Sequence, residues 1–152
     1  MKVLVAGLLS LVLLAVPVSA QKNAIDTING IAIGTTLDDA RSLLARIGTG
    51  GGRDTRDGGR KEAWALKETD FTTLAFKTNG AGRLVWISGF VRQGKEIPFD
   101  RLGDLTKAET VTKSQVIWNV GNAGTGYRLV AKGAEGKASV VYLLSLEFPE
   151  TH

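Results

Sequence analysis

Apolar and polar residues alternate along most of the chain, and two short stretches change to a helical rhythm. Ile28, Ile31 and Ile33, with small residues between them, predict a short strand or extended lead-in over residues 28–34. Thr36 with Asp39 three residues on has the form of a capping box, aspartate standing in for the usual glutamate. Leu37, Ala40, Leu43, Leu44 and Ile47 then fall at helical spacing, and Gly48 stands where a glycine ends a helix. Residues 48–60 read as a loop. Gly48, Gly50, Gly51, Gly52, Gly58 and Gly59 leave the backbone without a preferred conformation, and Arg53, Asp54, Arg56 and Asp57 add charge of both signs.

Six strands are predicted beyond that loop. Residues 61–67 place Trp64 and Leu66 on one face, and residues 71–77 do the same with Leu74 and Phe76. Asn79-Gly80 is a hairpin signal. Residues 83–92 are apolar on both faces, a pattern that predicts a central strand covered on both sides. Pro98 opens a second, shorter helix carried by Asp100, Leu102, Leu105 and Ala108 and weakened by Gly103. Strands follow over 115–120, 127–132 and 138–148, separated by the glycine-rich turns 121–126 and 133–136, and Pro149 ends the last.

The expected class is α+β: a mainly antiparallel sheet with two helices packed on one face. The halves resemble each other, with Trp64 and Trp118, and the strands around Ile87 and Leu143, at an offset of about 55 residues. They read either as a degenerate tandem repeat of a helix-plus-three-strand unit, over 30–92 and 97–148, or as one antiparallel sheet that carries two helices.

The first twenty residues change the picture of where the chain works. Lys2 precedes an apolar run from Val3 to Val16, Pro17 breaks it, and Val18-Ser19-Ala20 offers small residues for cleavage. This is the layout of a secretory signal, and the run is shorter than the ~20 residues a membrane-spanning helix needs. The expectation is an exported protein, periplasmic or extracellular, whose mature part is one domain over 21–152 without a transmembrane segment. With no cysteine at the cleavage site, a lipid anchor there is excluded. Without residues 1–20, which hold one lysine and no acid, 18 basic residues face 15 acidic ones, a net +3. That mixed, mild charge is unlike a nucleic-acid binder.

Composition then removes chemistries. There is no cysteine, so disulfides, thiolate nucleophiles and thiolate metal sites are out. The one histidine, His152, is the last residue, which argues against a Ser-His-Asp site, a histidine base or a histidine metal site. No glycine-lysine pair is followed by Ser or Thr at a helix start, so no phosphate cradle is expected. No catalytic residue, cofactor or metal is assigned.

The segment Gly30-Ile31-Ala32-Ile33-Gly34-Thr35-Thr36-Leu37-Asp38-Asp39-Ala40-Arg41 resembles the opening of the SmpA/OmlA-type domain, found in a small lipoprotein of the outer-membrane barrel assembly machinery. It is similar also to the way the beta-lactamase inhibitory proteins open their repeats. Ile31, Ile33, Gly34, Thr36 and Ala40 fill the places of that pattern. The chain departs from both families in lacking cysteine, lipidated in the one and disulfide-bonded in the other. The resemblance implies the architecture and a non-catalytic binding role, and carries over no binding residue.

The expected function is that of an exported, non-enzymatic binding or adaptor protein. It would contact another exported or envelope protein through the open face of its sheet and the Gly50–Arg60 loop, where Arg53, Arg56, Arg60 and Lys61 are the candidate partner-binding residues. The alternative is a small-molecule or carbohydrate binder, or a carboxylate-dependent hydrolase of the envelope. Trp64, Trp86, Trp118, Tyr127 and Tyr142 are expected in the core, and Asp38, Asp39, Asp100 and Asp104 at helix starts, where acids favour the helix dipole.

Overall fold

The computed structural model describes residues 23–121 and 126–147. The signal-peptide reading of residues 1–20 lies outside them, as do most of the 121–126 turn, Phe148, Pro149 and His152.

Alternating burial builds the sheet. In β4 (Arg60–Leu66), β5 (Phe71–Thr78) and β6 (Leu84–Val91), the residues Trp64, Leu66, Leu74, Phe76, Leu84 and Ile87 turn to one side and are buried there. The second half repeats this in β9 (Gln115–Val120), β10 (Tyr127–Ala134) and β11 (Lys137–Ser145), with Val116, Trp118, Leu129, Ala131, Val141 and Leu143 inward. Two more strands complete the edges, β3 (Gly48–Asp54) and β8 (Thr110–Val111). The order across the sheet is β3-β4-β5-β6-β11-β10-β9-β8, every adjacent pair antiparallel. A short β7 (Ile97–Pro98) pairs with the start of β11. The strand order is symmetrical about the β6–β11 seam, where Ile87 lies opposite Leu143.

One face of this sheet is covered. Helix α1 (Leu37–Leu44) buries Ala40 and Leu44 against it. Its first turn is closed as the capping pattern predicts: the Thr36 Oγ1 accepts from the Asp39 amide at 3.2 Å, and the Thr36 hydroxyl donates to the Asp39 carboxylate at 2.7 Å. Beside it lies a tight hairpin, β1 (Thr27–Ile28) and β2 (Ile31–Ala32), whose Ile28 and Ile31 are buried. The predicted lead-in over 28–34 is therefore two strands. Asn29 and Gly30 both take positive φ, 49° and 78°, which is the two-residue turn that Asn-Gly favours.

Ile28 reaches the sheet because β6 has glycine at position 89. A Cβ there would come within 2.7 Å of the Phe71 ring and 2.8 Å of Ile28 Cγ2. Gly89→Ala is expected to destabilise the fold by about 1–3 kcal/mol through overpacking, read as a lower midpoint of chemical unfolding. A variant as stable as the parent would show that the hairpin is not seated as described.

Four expectations are overturned. The α+β class with two helices on one face gives way to a mainly antiparallel β protein: 52% of the structure is strand and 12% helix, with one helix of more than a single turn. The second helix is a four-residue turn, α2 (Phe99–Leu102), followed by a 3-10 turn at Leu105–Lys107. It breaks at Gly103, whose extended backbone lies against Ala24 and the Trp118 indole, each 3.0 Å from where a Cβ would be. Core packing overrode a weak local preference. Gly48 does not terminate α1, which ends at Leu44; it begins β3, so residues 48–54 of the predicted loop are strand. Lastly, β6 is covered on one side only: Trp86 is half-buried and Phe90 is 40% exposed on the other.

Candidate functional site

The uncovered face is organised in three cross-strand rows. From the β3 edge the first runs Arg53, Lys61, Lys77 and Trp86, then Leu144, Arg128 and Asn119. The second runs Gly51, Ala63, Ala75 and Ser88, then Tyr142, Val130 and Ile117. The third runs Thr49, Ala65, Thr73 and Phe90, then Val140, Lys132 and Gln115. Side chains alternate across a pleated sheet, so each row lies on this one face.

Two properties follow. The first is charge: these rows hold five cations, Arg53, Lys61, Lys77, Arg128 and Lys132, and no acid. Acids reach only its margins. Asp57 binds Lys77 at 2.7 Å, and that ammonium, with the Thr55 hydroxyl, holds the Asp57 carboxyl well below the usual carboxylate range. Glu109 lies 3.8 Å from Arg128. Among the described residues, neither Arg53 nor Lys61 has an acidic partner.

The second property is relief. Small residues Gly51, Ala63 and Ala75 leave a trough of about 370 Å³ that Arg53 and Lys61 border and Trp86 closes at the seam. Beyond that wall is an aromatic centre. Trp86 stacks on Tyr142 with ring centroids 6.5 Å apart, and the Lys132 ammonium lies 5.9 Å from the Tyr142 centroid, within cation–π range. Ser88, between Ala75 and Tyr142, is buried, and its hydroxyl has no hydrogen-bond partner among the described residues.

The four basic residues expected to bind a partner fall in three places. Arg53 and Lys61 are direct cross-strand partners on the open face, and both are exposed. Arg56 is exposed in the turn that joins β3 to β4. Arg60 points to the other face and is engaged there. Its guanidinium donates to Glu62 at 2.6 Å, to Asp54 at 2.8 Å and to the Gly52 carbonyl at 2.9 Å. Glu62, whose side chain is 1% exposed, also accepts from Arg41 of α1 and, at 3.0 Å, from the Trp64 indole. Burial pushes the Glu62 carboxyl up, but the hydrogen bonds from Arg41, Arg60 and Trp64 outweigh it and hold the group below the ordinary glutamate value. This cluster ties α1 to the sheet beneath the open face.

Sequence reasoning missed Glu62 and assigned Trp86 and Tyr142 to the core. Strand parity could have flagged Glu62, which shares a face with Trp64 and Leu66. Trp64 and Trp118 are core residues as expected, whereas Trp86 and Tyr142 belong to the open face. Tyr127 is half-buried and donates its hydroxyl to the Ala24 carbonyl at 3.2 Å. Asp104 caps the 3-10 turn through the Thr106 amide at 2.9 Å.

Among the described residues, no cluster of three or more His, Cys, Asp or Glu could hold a metal, and no helix is long and apolar enough to cross a membrane. No family model matches the chain, and neither a curated protein nor a solved structure matches it.

Proposed function

We propose that this is an exported, non-enzymatic binding protein that docks another exported or envelope protein on the open face of its sheet. The partner presents acidic side chains around an apolar centre. The observation that carries this reading is the face itself: five cations without an acid, set around Trp86, Tyr142 and Phe90. Buried aromatic anchors dominate binding energies, and complementary charge sets encounter rate and partner choice. The resemblance of residues 30–41 to the SmpA/OmlA-type domain and the beta-lactamase inhibitory proteins points to the same role.

The test is affinity capture from the native exported-protein fraction with four baits: the parent, Trp86→Ala, Lys61→Glu, and Arg101→Glu on the covered side. A partner held by the parent and Arg101→Glu is expected to bind Trp86→Ala about 30-fold more weakly, the scale of losing an anchor worth about 2 kcal/mol. Lys61→Glu should weaken it further as salt falls, because repulsion is least screened there. Equal capture by all four baits would remove the open face from the argument. A second reading draws on the Trp86-walled trough, whose volume falls in the range of small-ligand sites. Under it, a sugar or cell-wall fragment would raise the melting temperature while no protein is captured.

A further inference from the structure

The outer edge of β3 offers something the open face does not use, a row of free main-chain groups. The Ile47 carbonyl accepts from the Lys67 amide at 2.7 Å, and at the other end the Thr55 amide donates to the Gly59 carbonyl at 2.8 Å. In an antiparallel ladder, residues bonded to the neighbour alternate with residues that face away. With β3 and β4 in unbroken register, Thr49, Gly51 and Arg53 bond to β4, and Gly48, Gly50, Gly52 and Asp54 turn their N–H and C=O groups outward. Of those outward groups, the Gly52 carbonyl alone has a partner among the described residues, the Arg60 guanidinium.

Folded proteins blunt such edges with short strands, prolines, bulges or covering segments. The opposite edge follows this rule, since β8 is two residues long. β3 does not: it has seven residues, no proline and no register shift, and residues 49–54 are all exposed. Glycine at 48, 50 and 52 puts no β3 side chain on the covered side of this edge before Asp54, so along residues 48–51 an arriving chain meets backbone, with the Arg60 guanidinium at Gly52 and Asp54 beyond. Glycine is required at 50 and 52, because a Cβ would run into the Ala63 and Lys61 carbonyls of β4.

Resting on the open-face reading above, we infer that the free edge of β3 takes an extended acidic segment of the partner protein as an additional antiparallel strand. Its main chain bonds Gly48, Gly50, Gly52 and Asp54, and its open-face side chains are acids that meet Arg53 and Lys61. Charge selects this occupant. Arg53 and Lys61 flank the edge without an acidic partner, and the β3 of a second copy, with Thr49, Gly51 and Arg53 on that face, has no acid to offer them. The antiparallel sense follows every other pair in the sheet. Strand addition of this kind draws affinity from main-chain hydrogen bonds and specificity from alternate side chains.

Recognition by backbone and charge tolerates sequence, so a generic probe is suitable: the capped peptide Thr-Glu-Val-Glu-Val-Glu-Thr, titrated by calorimetry and by amide NMR shifts. In antiparallel pairing, residues bonded to each other share a face. Glutamates on the open face therefore point their amides away from β3, and the valine and threonine amides donate into it. N-methylation of the valine and threonine amides is expected to weaken binding at least tenfold, N-methylation of the glutamate amides less than threefold. Shifts should concentrate at Gly48, Gly50 and Gly52. Lys61→Glu, checked for folding by circular dichroism, should weaken the parent peptide. If both methylated peptides bind like the parent while Lys61→Glu still weakens it, strand addition is wrong and the open-face reading stands. If the parent peptide does not bind, the edge proposal fails, and capture with Trp86→Ala decides the open-face reading separately.

Discussion

Trp118→Ala is expected to lower the unfolding free energy by about 3–5 kcal/mol, the range for removing a buried aromatic ring. Trp118 is 2% exposed, in β9, and its indole N–H donates to the Asp104 carbonyl at 2.8 Å. Its ring edge fills the space left by Gly103, next to the Ala24 backbone. Alanine would open a cavity, orphan the Asp104 carbonyl and remove the surface on which the 3-10 turn and the segment before β1 rest. A domain of this size has about 5–15 kcal/mol in all, so the variant should lose a large share of its stability. Urea unfolding monitored by the remaining tryptophans measures it. Trp86→Ala is the internal contrast: the same side chain, half-buried on the open face, should cost less than half as much. If the two variants were equally destabilised, the assignment of one tryptophan to the core and the other to the surface would be wrong.

Glu62→Ala is expected to cost about 2–3 kcal/mol, and to cost it in a pH-dependent way. Removing one partner of a fully buried ion pair costs about 3–5 kcal/mol. Here the arginine side chains, 38% exposed for Arg41 and 27% for Arg60, keep contact with water and recover part of their solvation, which lowers the figure. The sign of the pH effect follows from the depressed carboxyl. Its contribution is complete above the unfolded-state value of about 4.3 and is lost as pH falls through the lower folded value. The stability gap between the parent and Glu62→Gln should be constant from pH 7 to 5 and close progressively below about pH 4. Parallel curves down to pH 2 would show that the Glu62 cluster contributes no proton linkage.

Much of the sheet was legible because its inward faces are regular. The six predicted strands beyond residue 60 each appear, with ends displaced by no more than three residues. α1 was legible from Thr36 and Asp39, since a cap acts within one turn. The Asn79-Gly80 hairpin also forms, with Asn79 Oδ1 accepting from the Ala81 and Arg83 amides at 3.0 Å. The candidate site was legible in part. Arg53 and Lys61 share the open face, whereas Arg60 has the strand parity of Glu62, Trp64 and Leu66 and turns inward with them, which reading residues 48–60 as a loop concealed.

By itself the sequence determined the strand rhythm, the capped helix, the absence of cysteine chemistry and the mild positive charge, because these depend on neighbours within a few residues or on composition. Tertiary structure decided the rest. Residues 48–54, weak β-formers apart from Thr49, became a strand because β4 supplied a ladder of partners for their backbone. A helical pattern after Pro98 dissolved because Trp118 required the space at Gly103. β6, apolar on both faces, became half open because α1 and the β1–β2 hairpin lie on the same side of the sheet. Pairing and coverage join residues far apart in the chain, and no local preference of order 1 kcal/mol per residue can anticipate which surfaces they will bury.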